Sequence, residues 1–255
     1  MLQTSELTKY TFSPENLPAI ERVLDDDGFV VLENAFTRDE LDDVTGTVTF
    51  MFSSHAKPGE TLSDTCVRLD KEDPKLLYRI YQYSHSTLAV NRIRQACLKF
   101  ARALLPGKGI YIDIDSSVIF NLPQDTRLTW TWHQESAYHP HVPASLGFWY
   151  PLIRPATVAN GTMSFLKGTH KLGLLPCTKH KPRADGATSL VPVDIERMTR
   201  EYPEVHCVTD VGDLVIFRNH LVHRSNFNSS EKPRFTGLVR LALIDRIPDR
   251  TGKTT

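Results

Sequence analysis

The chain has 255 residues and equal numbers of basic and acidic side chains, 30 of each, so its formal net charge is zero. This length fits one domain over residues 1–255, and a hydrophobic content of 40% is ample for a full core. The balanced charge argues against an electrostatic nucleic-acid binder, and the sequence holds no run of about twenty apolar residues that would indicate a membrane span. Widely spaced cysteines and the lack of an N-terminal signal pattern predict free thiols in a reducing cytoplasm.

The first 108 residues are predicted to be mainly helical. Ser13 and Pro14 suit the N-cap and first turn of one helix, and Thr37 with Glu40 forms a capping-box pattern at the start of another. A helical period of apolar residues precedes residue 105. The predicted elements are helices at 14–26, 37–53 and 86–105 and a strand at 28–34.

From about residue 109 to 246 the pattern is rich in strands. The predicted strands are 110–121, 127–135, 145–153, 161–166, 205–208, 213–218 and 235–246. Helices followed by many strands favour a mostly β fold with flanking helices, of the antiparallel jelly-roll type. Residues 174–204 carry few strand signals and are interpreted as an insertion near the mouth of a site, where long loops often act as lids.

The most informative motif is His133-Gln134-Glu135. On a strand, residues two apart point to the same face, so the imidazole and the carboxylate would lie side by side. His223, on a distant segment, would complete a set of two histidines and one carboxylate, which suits non-haem Fe(II) and leaves three positions open. His220 is the less favoured ligand because, on a strand, it would face away from His223. The alternative is an ordinary polar cluster.

Arg234 lies eleven residues after His223 and opens an apolar run. Its planar guanidinium can hold a carboxylate through two hydrogen bonds. An iron site beside such a clamp predicts a 2-oxoglutarate-dependent oxygenase. The alternative for Arg234 is a surface arginine at the start of a strand.

The chain resembles the phytanoyl-CoA dioxygenase family of Fe(II)/2-oxoglutarate oxygenases from about residue 14 to about residue 244. Family members usually carry Asp where this chain has Glu135, which keeps the charge and adds a methylene. The resemblance implies a cupin-like double-stranded β-helix, with Fe(II), 2-oxoglutarate and O2 as cofactor and co-substrates. It disfavours a halogenase, in which a small residue replaces the carboxylate ligand. The matching segments are 27–41, 133–138, 160–173, 212–223 and Arg234.

The resemblance also implies roles for four further residues. Ser225 would share the far carboxylate of 2-oxoglutarate with Arg234, and Asn121 would face its metal-proximal carboxylate. Trp149 would pack beside the co-substrate, and Tyr138 would contact substrate or co-substrate from a loop. The alternatives are a turn serine, a turn asparagine and a core tryptophan.

These features predict an enzyme that hydroxylates a small molecule with release of succinate and CO2. Two other functions are compatible with the fold: a cupin-like dioxygenase or isomerase that does not use 2-oxoglutarate, and a non-catalytic jelly-roll binding module. Arg234 argues against the first, and the presence of all three ligand residues argues against the second.

Overall fold

The structure is a computed structural model that describes residues 7–125, 129–142, 144–182 and 188–245. The helices are α1 (Leu17–Asp27), α2 (Arg38–Ser53), α3 (Leu62–Glu72), α4 (Pro74–Ser84), α5 (Leu88–Leu104) and α6 (Ile195–Glu201). The strands are β1 (Lys9–Tyr10), β2 (Phe29–Leu32), β3 (Ile110–Asn121), β4 (Ser145–Leu152), β5 (Met163–Leu166), β6 (Cys177–Pro182), β7 (Thr188–Pro192), β8 (Glu204–His206), β9 (Leu214–Arg218), β10 (His223–Ser225) and β11 (Arg234–Ile244). None of the helices in these ranges is long and apolar enough to cross a membrane.

The strands form one large sheet, one small sheet and a hairpin. The large sheet has the order β1-β2-β9-β4-β11-β3, the small sheet has the order β10-β5-β8, and β6 pairs with β7. All pairings are antiparallel except that of β1 with β2. The fold is therefore sheet-rich with flanking helices, as the sequence predicts.

Each face of the large sheet packs against a different layer. Phe148 on β4 and Val239 on β11 point to one side and join the core formed with α1 to α5. Trp149 and Leu238 point to the other side and join the core formed with the small sheet. Because successive side chains of a strand alternate between faces, one face of β11 is committed to the helices and the other is left for the space between the sheets.

Local sequence signals explain most of the helix boundaries. The capping box of α2 is present, since Thr37 accepts from the amide of Glu40 and the Glu40 carboxylate accepts from the amide of Thr37. The first helix begins at Leu17, three residues later than predicted, because Asn16 takes the N-cap position and Pro18 the first turn. Ser13 instead caps the preceding turn by accepting from the amide of Asn16.

Three parts of the chain differ from the sequence prediction. The helices α3 and α4 were not predicted, although Thr61 and Asp64 form a second capping box. Residues 174–204 hold the hairpin of β6 and β7 and the helix α6, so the prediction of few strands there was wrong. The strand predicted at 127–135 is also wrong in its described part: only His133 forms a bridge, and Glu135 opens a short 3-10 helix. Residues 127, 128 and 246 of the predicted strands lie outside the described ranges.

Candidate metal centre and carboxylate pocket

Backbone pairing with β10 brings the three predicted ligand residues together. His133 and His223 each donate an amide hydrogen bond to the other's carbonyl, at 2.9 and 3.0 Å, and the amide of Ser225 donates to the carbonyl of Trp130 at 2.9 Å. Gln134 has extended backbone angles, which turns the side chains of His133 and Glu135 to the same side before the 3-10 helix begins. The side chains of His133 and Glu135 thus point to the same side, as predicted, even though the segment is not a strand.

The donor atoms of the triad suit a metal ion. The carboxylate Oε1 of Glu135 lies 3.3 Å from Nε2 of His223 and 3.8 Å from Nε2 of His133, and the three side chains are all buried. Nδ1 of His133 lies 2.7 Å from the carbonyl of Thr131, and Nδ1 of His223 lies 2.9 Å from that of Leu221. A proton on Nδ1 donates to each carbonyl, which leaves the Nε2 lone pair free to bind a metal. Burial, and then the nearby His223, lower the pKa of His133, which favours the neutral ligand form.

Glu135 is held by an arginine that the sequence analysis did not assign to the metal site. Nη2 of Arg240 donates to Oε1 of Glu135 at 3.0 Å, and Nε of Arg240 lies 2.7 Å from Oε2. Nη1 of Arg240 donates to Asp115 at 2.8 Å. Burial opposes ionisation of Glu135, but Arg240 and the two histidines hold the pKa of its carboxyl well below the usual value. The carboxylate is therefore charged at neutral pH and available as a ligand.

Arg234 is a buried cation with no anionic partner among the residues that the structure describes. The residue is 2% exposed, and none of the described acidic side chains forms an ion pair with it. Nε donates to the carbonyl of Asn160 at 3.2 Å and Nη1 to the hydroxyl of Thr236 at 3.3 Å, while the guanidinium lies 5.4 Å from the ring centre of Trp149. Burial lowers the pKa of Arg234 to about 9. A buried charge of this kind is costly unless a ligand of opposite charge pairs with it.

One cavity of about 230 Å³ contains both the triad and Arg234. Arg234 and Arg240 are six residues apart on β11, so their Cα atoms are separated by roughly 20 Å along the strand. Because Arg240 contacts Glu135 of the triad, the triad and Arg234 lie toward opposite ends of the cavity. Its remaining walls are mainly apolar or aromatic: Ile119, Trp130, Tyr138, Trp149, Met163 and Leu238.

Of the other predicted site residues, three line this cavity and one does not. Ser225, Trp149 and Tyr138 are part of the wall. Asn121 is absent from it: its side-chain amide donates to the carbonyls of Gly161 and Asn226, both at 3.3 Å. Its amide group thus ties two loops together beside the site, and the residue is not part of the cavity wall.

The strand period could have found the residues that were missed. Once Arg234 is assigned to the site, Thr236, Leu238 and Arg240 must face the same way, because side chains two apart on a strand share a face. All of them line the cavity. Asp115 is not readable in this way, since it enters the site only through the register that pairs it with Arg240 across β3 and β11.

Gln134 and Tyr138 connect the site to the segment interpreted as an insertion. The buried amide of Gln134 donates to the carbonyls of Gly173 and His220 at 2.9 and 2.6 Å, and its oxygen accepts from the amide of Leu175 at 2.9 Å. The hydroxyl of Tyr138 accepts from the amide of Leu190 on β7 at 3.0 Å. The insertion therefore lies against the metal motif, which agrees with its predicted place near the mouth of the site.

Solved structures with the same fold include two with 2-oxoglutarate named in their descriptions. EvdO2 from Micromonospora carbonacea var. aurantiaca, complexed with 2-oxoglutarate, is 20% identical with a TM-score of 0.61, over 96% of this chain and 98% of that one. The epimerase SnoN, in complex with Fe3+, alpha ketoglutarate and nogalamycin RO, is 17% identical with a TM-score of 0.62, over 90% of this chain and 84% of that one. At these identities the similarity shows a shared fold.

Sequence comparison assigns the chain to a family. A curated relative, a probable phytanoyl-CoA dioxygenase from Caenorhabditis elegans, is 31% identical over 100 residues, which is 39% of this chain and 31% of that protein. The aligned part thus spans about a third of the relative's length. The model of the phytanoyl-CoA dioxygenase family matches residues 24–236, which include the triad and Arg234. The chain belongs to the phytanoyl-CoA dioxygenase family.

Proposed function

We propose that this chain is an Fe(II)- and 2-oxoglutarate-dependent oxygenase that acts on a small molecule. The observation that carries the proposal is the cavity with two chemically distinct ends. One end presents two imidazole nitrogens and a carboxylate oxygen, all buried. The other presents Arg234, a buried cation that no described carboxylate neutralises. A dicarboxylate with a metal-chelating keto acid at one end matches both.

Five polar residues of the cavity have a role in this proposal. His133, Glu135 and His223 hold Fe(II), and this donor set leaves room for co-substrate and O2. Arg234 binds the far carboxylate of 2-oxoglutarate, and the Ser225 hydroxyl donates a further hydrogen bond to it. When bound, Fe(II) would activate O2 as the oxidant, and decarboxylation of 2-oxoglutarate to succinate and CO2 would take up one oxygen atom and leave the other for substrate oxidation.

The apolar wall serves to exclude water from the reacting atoms. Trp149 stacks near the Arg234 guanidinium, and Leu238 and Met163 belong to the dry core between the sheets. Removing water strengthens the pairing of Arg234 with a carboxylate, because charges interact more strongly at a low local dielectric. The same wall limits side reactions of the oxidant.

Three broader predictions remain proposals. The large and small sheets, with the cavity between them, are proposed to be the two halves of a double-stranded β-helix, which with its helices forms one domain over residues 1–255. A reducing cytoplasm is supported by the absence of disulfides among the four cysteines, which are all in described parts of the chain. Partners other than a small-molecule substrate are not proposed.

Hydroxylation is proposed as the outcome of the reaction. Proteins of this fold have other outcomes, since SnoN is described as an epimerase and SnoK as a carbocyclase, at 17 and 18% identity. A hydroxylase transfers an oxygen atom from O2 to its substrate, whereas an epimerase leaves the mass of the substrate unchanged. Mass spectrometry of the product formed under labelled O2 separates these outcomes.

The test of the function is 2-oxoglutarate turnover by the purified protein. We expect Fe(II)-dependent formation of succinate and one Fe(II) bound per chain. His133→Ala and His223→Ala should abolish both with the fold retained. The matched control is His206→Ala, because His206 bonds Ser164 through Nδ1 at 2.7 Å and lies outside the cavity wall.

The outcomes distinguish the alternatives. Metal binding without consumption of 2-oxoglutarate would favour a cupin-like enzyme of another kind. Absence of metal binding would favour a non-catalytic module. Full turnover by His133→Ala or His223→Ala would contradict the ligand assignment.

A further inference from the structure

Arg240 contacts both carboxylate oxygens of Glu135. We propose that Arg240 is a positioning residue that aims the Glu135 carboxylate at the metal, and that Asp115 holds Arg240 in place. This inference rests on the proposed function, because it concerns the same metal centre. It adds Arg240 and Asp115 to the metal centre, linked to the triad by contacts that run from Asp115 through Arg240 to Glu135.

The Arg240 guanidinium contacts both oxygens of Glu135. Nη2 donates to Oε1 at 3.0 Å, and Nε lies 2.7 Å from Oε2. Oε1 also lies 3.3 Å from Nε2 of His223 and 3.8 Å from Nε2 of His133. The arginine therefore fixes the plane of the carboxylate, with Oε1 directed at the imidazole nitrogens and the metal site.

A glutamate needs such an anchor more than an aspartate does. Its side chain has one more rotatable bond, so its carboxylate reaches more positions around the metal. Ordering a flexible side chain costs entropy, and a contact made before metal binding removes that cost from the binding step. The planar guanidinium restricts both the position and the plane of the carboxylate, which a lone ammonium does not.

The position of Arg240 is itself set by the sheet. Arg240 and Asp115 are direct partners in the antiparallel pairing of β11 with β3. Opposite charges on such partners attract across the strands. The Arg240 side chain is 14% exposed and that of Asp115 is 51% exposed, so the chain of contacts runs from the rim of the cavity to the buried Glu135.

The same contacts make Arg240 unsuited to bind 2-oxoglutarate. Its guanidinium is already shared between two carboxylates, those of Glu135 and Asp115. Arg234, by contrast, bonds only a carbonyl and a hydroxyl among the described side chains and backbone. Of the two arginines on β11, Arg240 is thus directed at a metal ligand and Arg234 at the co-substrate.

Removing Arg240 should change metal affinity in opposite directions depending on whether the arginine acts by positioning Glu135 or only through its charge. A cation near a metal site repels the metal, so its removal would tighten metal binding if charge alone mattered. Asp115 offsets this repulsion, because its carboxylate lies 2.8 Å from Arg240. Loss of positioning weakens metal binding, and partners of metal ligands typically contribute about tenfold or more to affinity.

The experiment is a titration with Co(II), followed by its visible absorption, in the absence of 2-oxoglutarate and O2. We expect Arg240→Met to weaken Co(II) binding about tenfold. Arg240→Lys keeps the charge but not the fork, and should recover only part of the affinity. Asp115→Asn should weaken binding about threefold, because it both loosens Arg240 and exposes the metal to its charge.

A double-mutant cycle with Glu135→Asp tests whether Arg240 affects metal binding through Glu135. The shorter carboxylate loses its contact with Arg240. Adding Arg240→Met to Glu135→Asp should therefore lower the affinity for Co(II) by less than about twofold. Arg94→Met is the matched control: Arg94 pairs with Asp113 on the same strand as Asp115 but lies outside the cavity wall. It should leave Co(II) binding and the Co(II) spectrum unchanged.

The results separate failure of this inference from failure of the function. If the parent protein and Arg240→Met bind Co(II) equally well, or if Arg240→Met binds it more tightly, the positioning role is overturned and the function stands. The positioning role is also overturned if Arg240→Met lowers the affinity for Co(II) equally in the parent protein and in Glu135→Asp. If the parent protein does not bind Co(II), the function and the inference both fall. Should Arg240→Met be unfolded in a thermal melt, Arg240→Lys and Asp115→Asn decide the question.

Discussion

Replacing Arg234 by methionine should weaken 2-oxoglutarate binding without lowering the stability of the ligand-free protein. Methionine keeps most of the length of the side chain and removes the charge. The substitution costs two hydrogen bonds, to the carbonyl of Asn160 and the hydroxyl of Thr236, of about 1 kcal/mol each. It also relieves the burial of an unpaired cation, a penalty of several kcal/mol. We therefore expect unfolding of the ligand-free variant at the same or a higher temperature.

The loss of affinity follows from the contacts that Arg234 has left to make. Nη2 forms no hydrogen bond with any described residue, and Nη1 uses one of its two hydrogens on Thr236. A carboxylate can accept from both nitrogens. A charge-assisted contact of this kind is worth about 1.5–3 kcal/mol, or roughly ten- to hundredfold in the dissociation constant. Arg234→Lys should recover only part, and Ser225→Ala should cost about 1 kcal/mol.

The assay is an anaerobic titration of 2-oxoglutarate into the Fe(II) protein, followed by the metal-to-ligand absorption band. Arg224→Met is the matched control, because Arg224 lies 4.5 Å from the ring centre of Trp132, as Arg234 lies over Trp149, yet it is outside the cavity wall. If Arg234→Met binds 2-oxoglutarate as tightly as the parent, the co-substrate carboxylate is held elsewhere. If the variant unfolds at a much lower temperature, the argument about the unpaired cation is wrong.

Glu135→Asp should retain partial turnover of 2-oxoglutarate and Glu135→Ala should lose it, since misplacing a ligand by about 1 Å is costly but removing it is worse; parental turnover by the alanine variant would exclude Glu135 as a ligand. Gly237→Ala should destabilise the protein by about 1–3 kcal/mol in a denaturant titration, because a Cβ there would lie 2.0 Å from Cζ of Tyr150; unchanged stability would show that the ring can move away. Hydrogen bonding from Arg68 lowers the pKa of Glu60 to about 2 from 4.5, so its contribution to stability is complete above pH 4.5 and is lost as the pH falls toward 2. Glu60→Gln should flatten the acid limb of the stability curve over that window, and identical curves would contradict the pairing.

Sequence patterns succeeded where a local rule decides the structure. The capping box of Thr37 and Glu40 depends on residues three apart, and the structure contains it. The strand at 110–121 follows from a local run of suitable residues, and β3 has the same bounds. The strands within residues 174–204 were not predicted because Thr188–Pro192 and its partner strand are short and stabilised mainly by each other.

The candidate site divides in the same way. His133, Glu135, His223 and Arg234 could be named from the sequence as candidate ligands and clamp, because the chemistry of each role demands a particular residue type, and the structure brings all four to one cavity. The surroundings of Asn121 could not be read from the sequence, because whether its amide faces the cavity or the carbonyls of two loops depends on how those loops pack.

The sequence alone determined the residue types of the metal centre, the β-rich second half and the family of the chain. Only the tertiary structure decided that Arg240 bonds Glu135 while Arg234 has no acidic partner among the described residues, although both lie on the same face of one strand. The physical reason is that alternation along a strand sets which way a side chain points, whereas its partner is set by the strand register and by distant segments. Asp115 reaches Arg240 through the pairing of β3 with β11, and no local pattern carries that information.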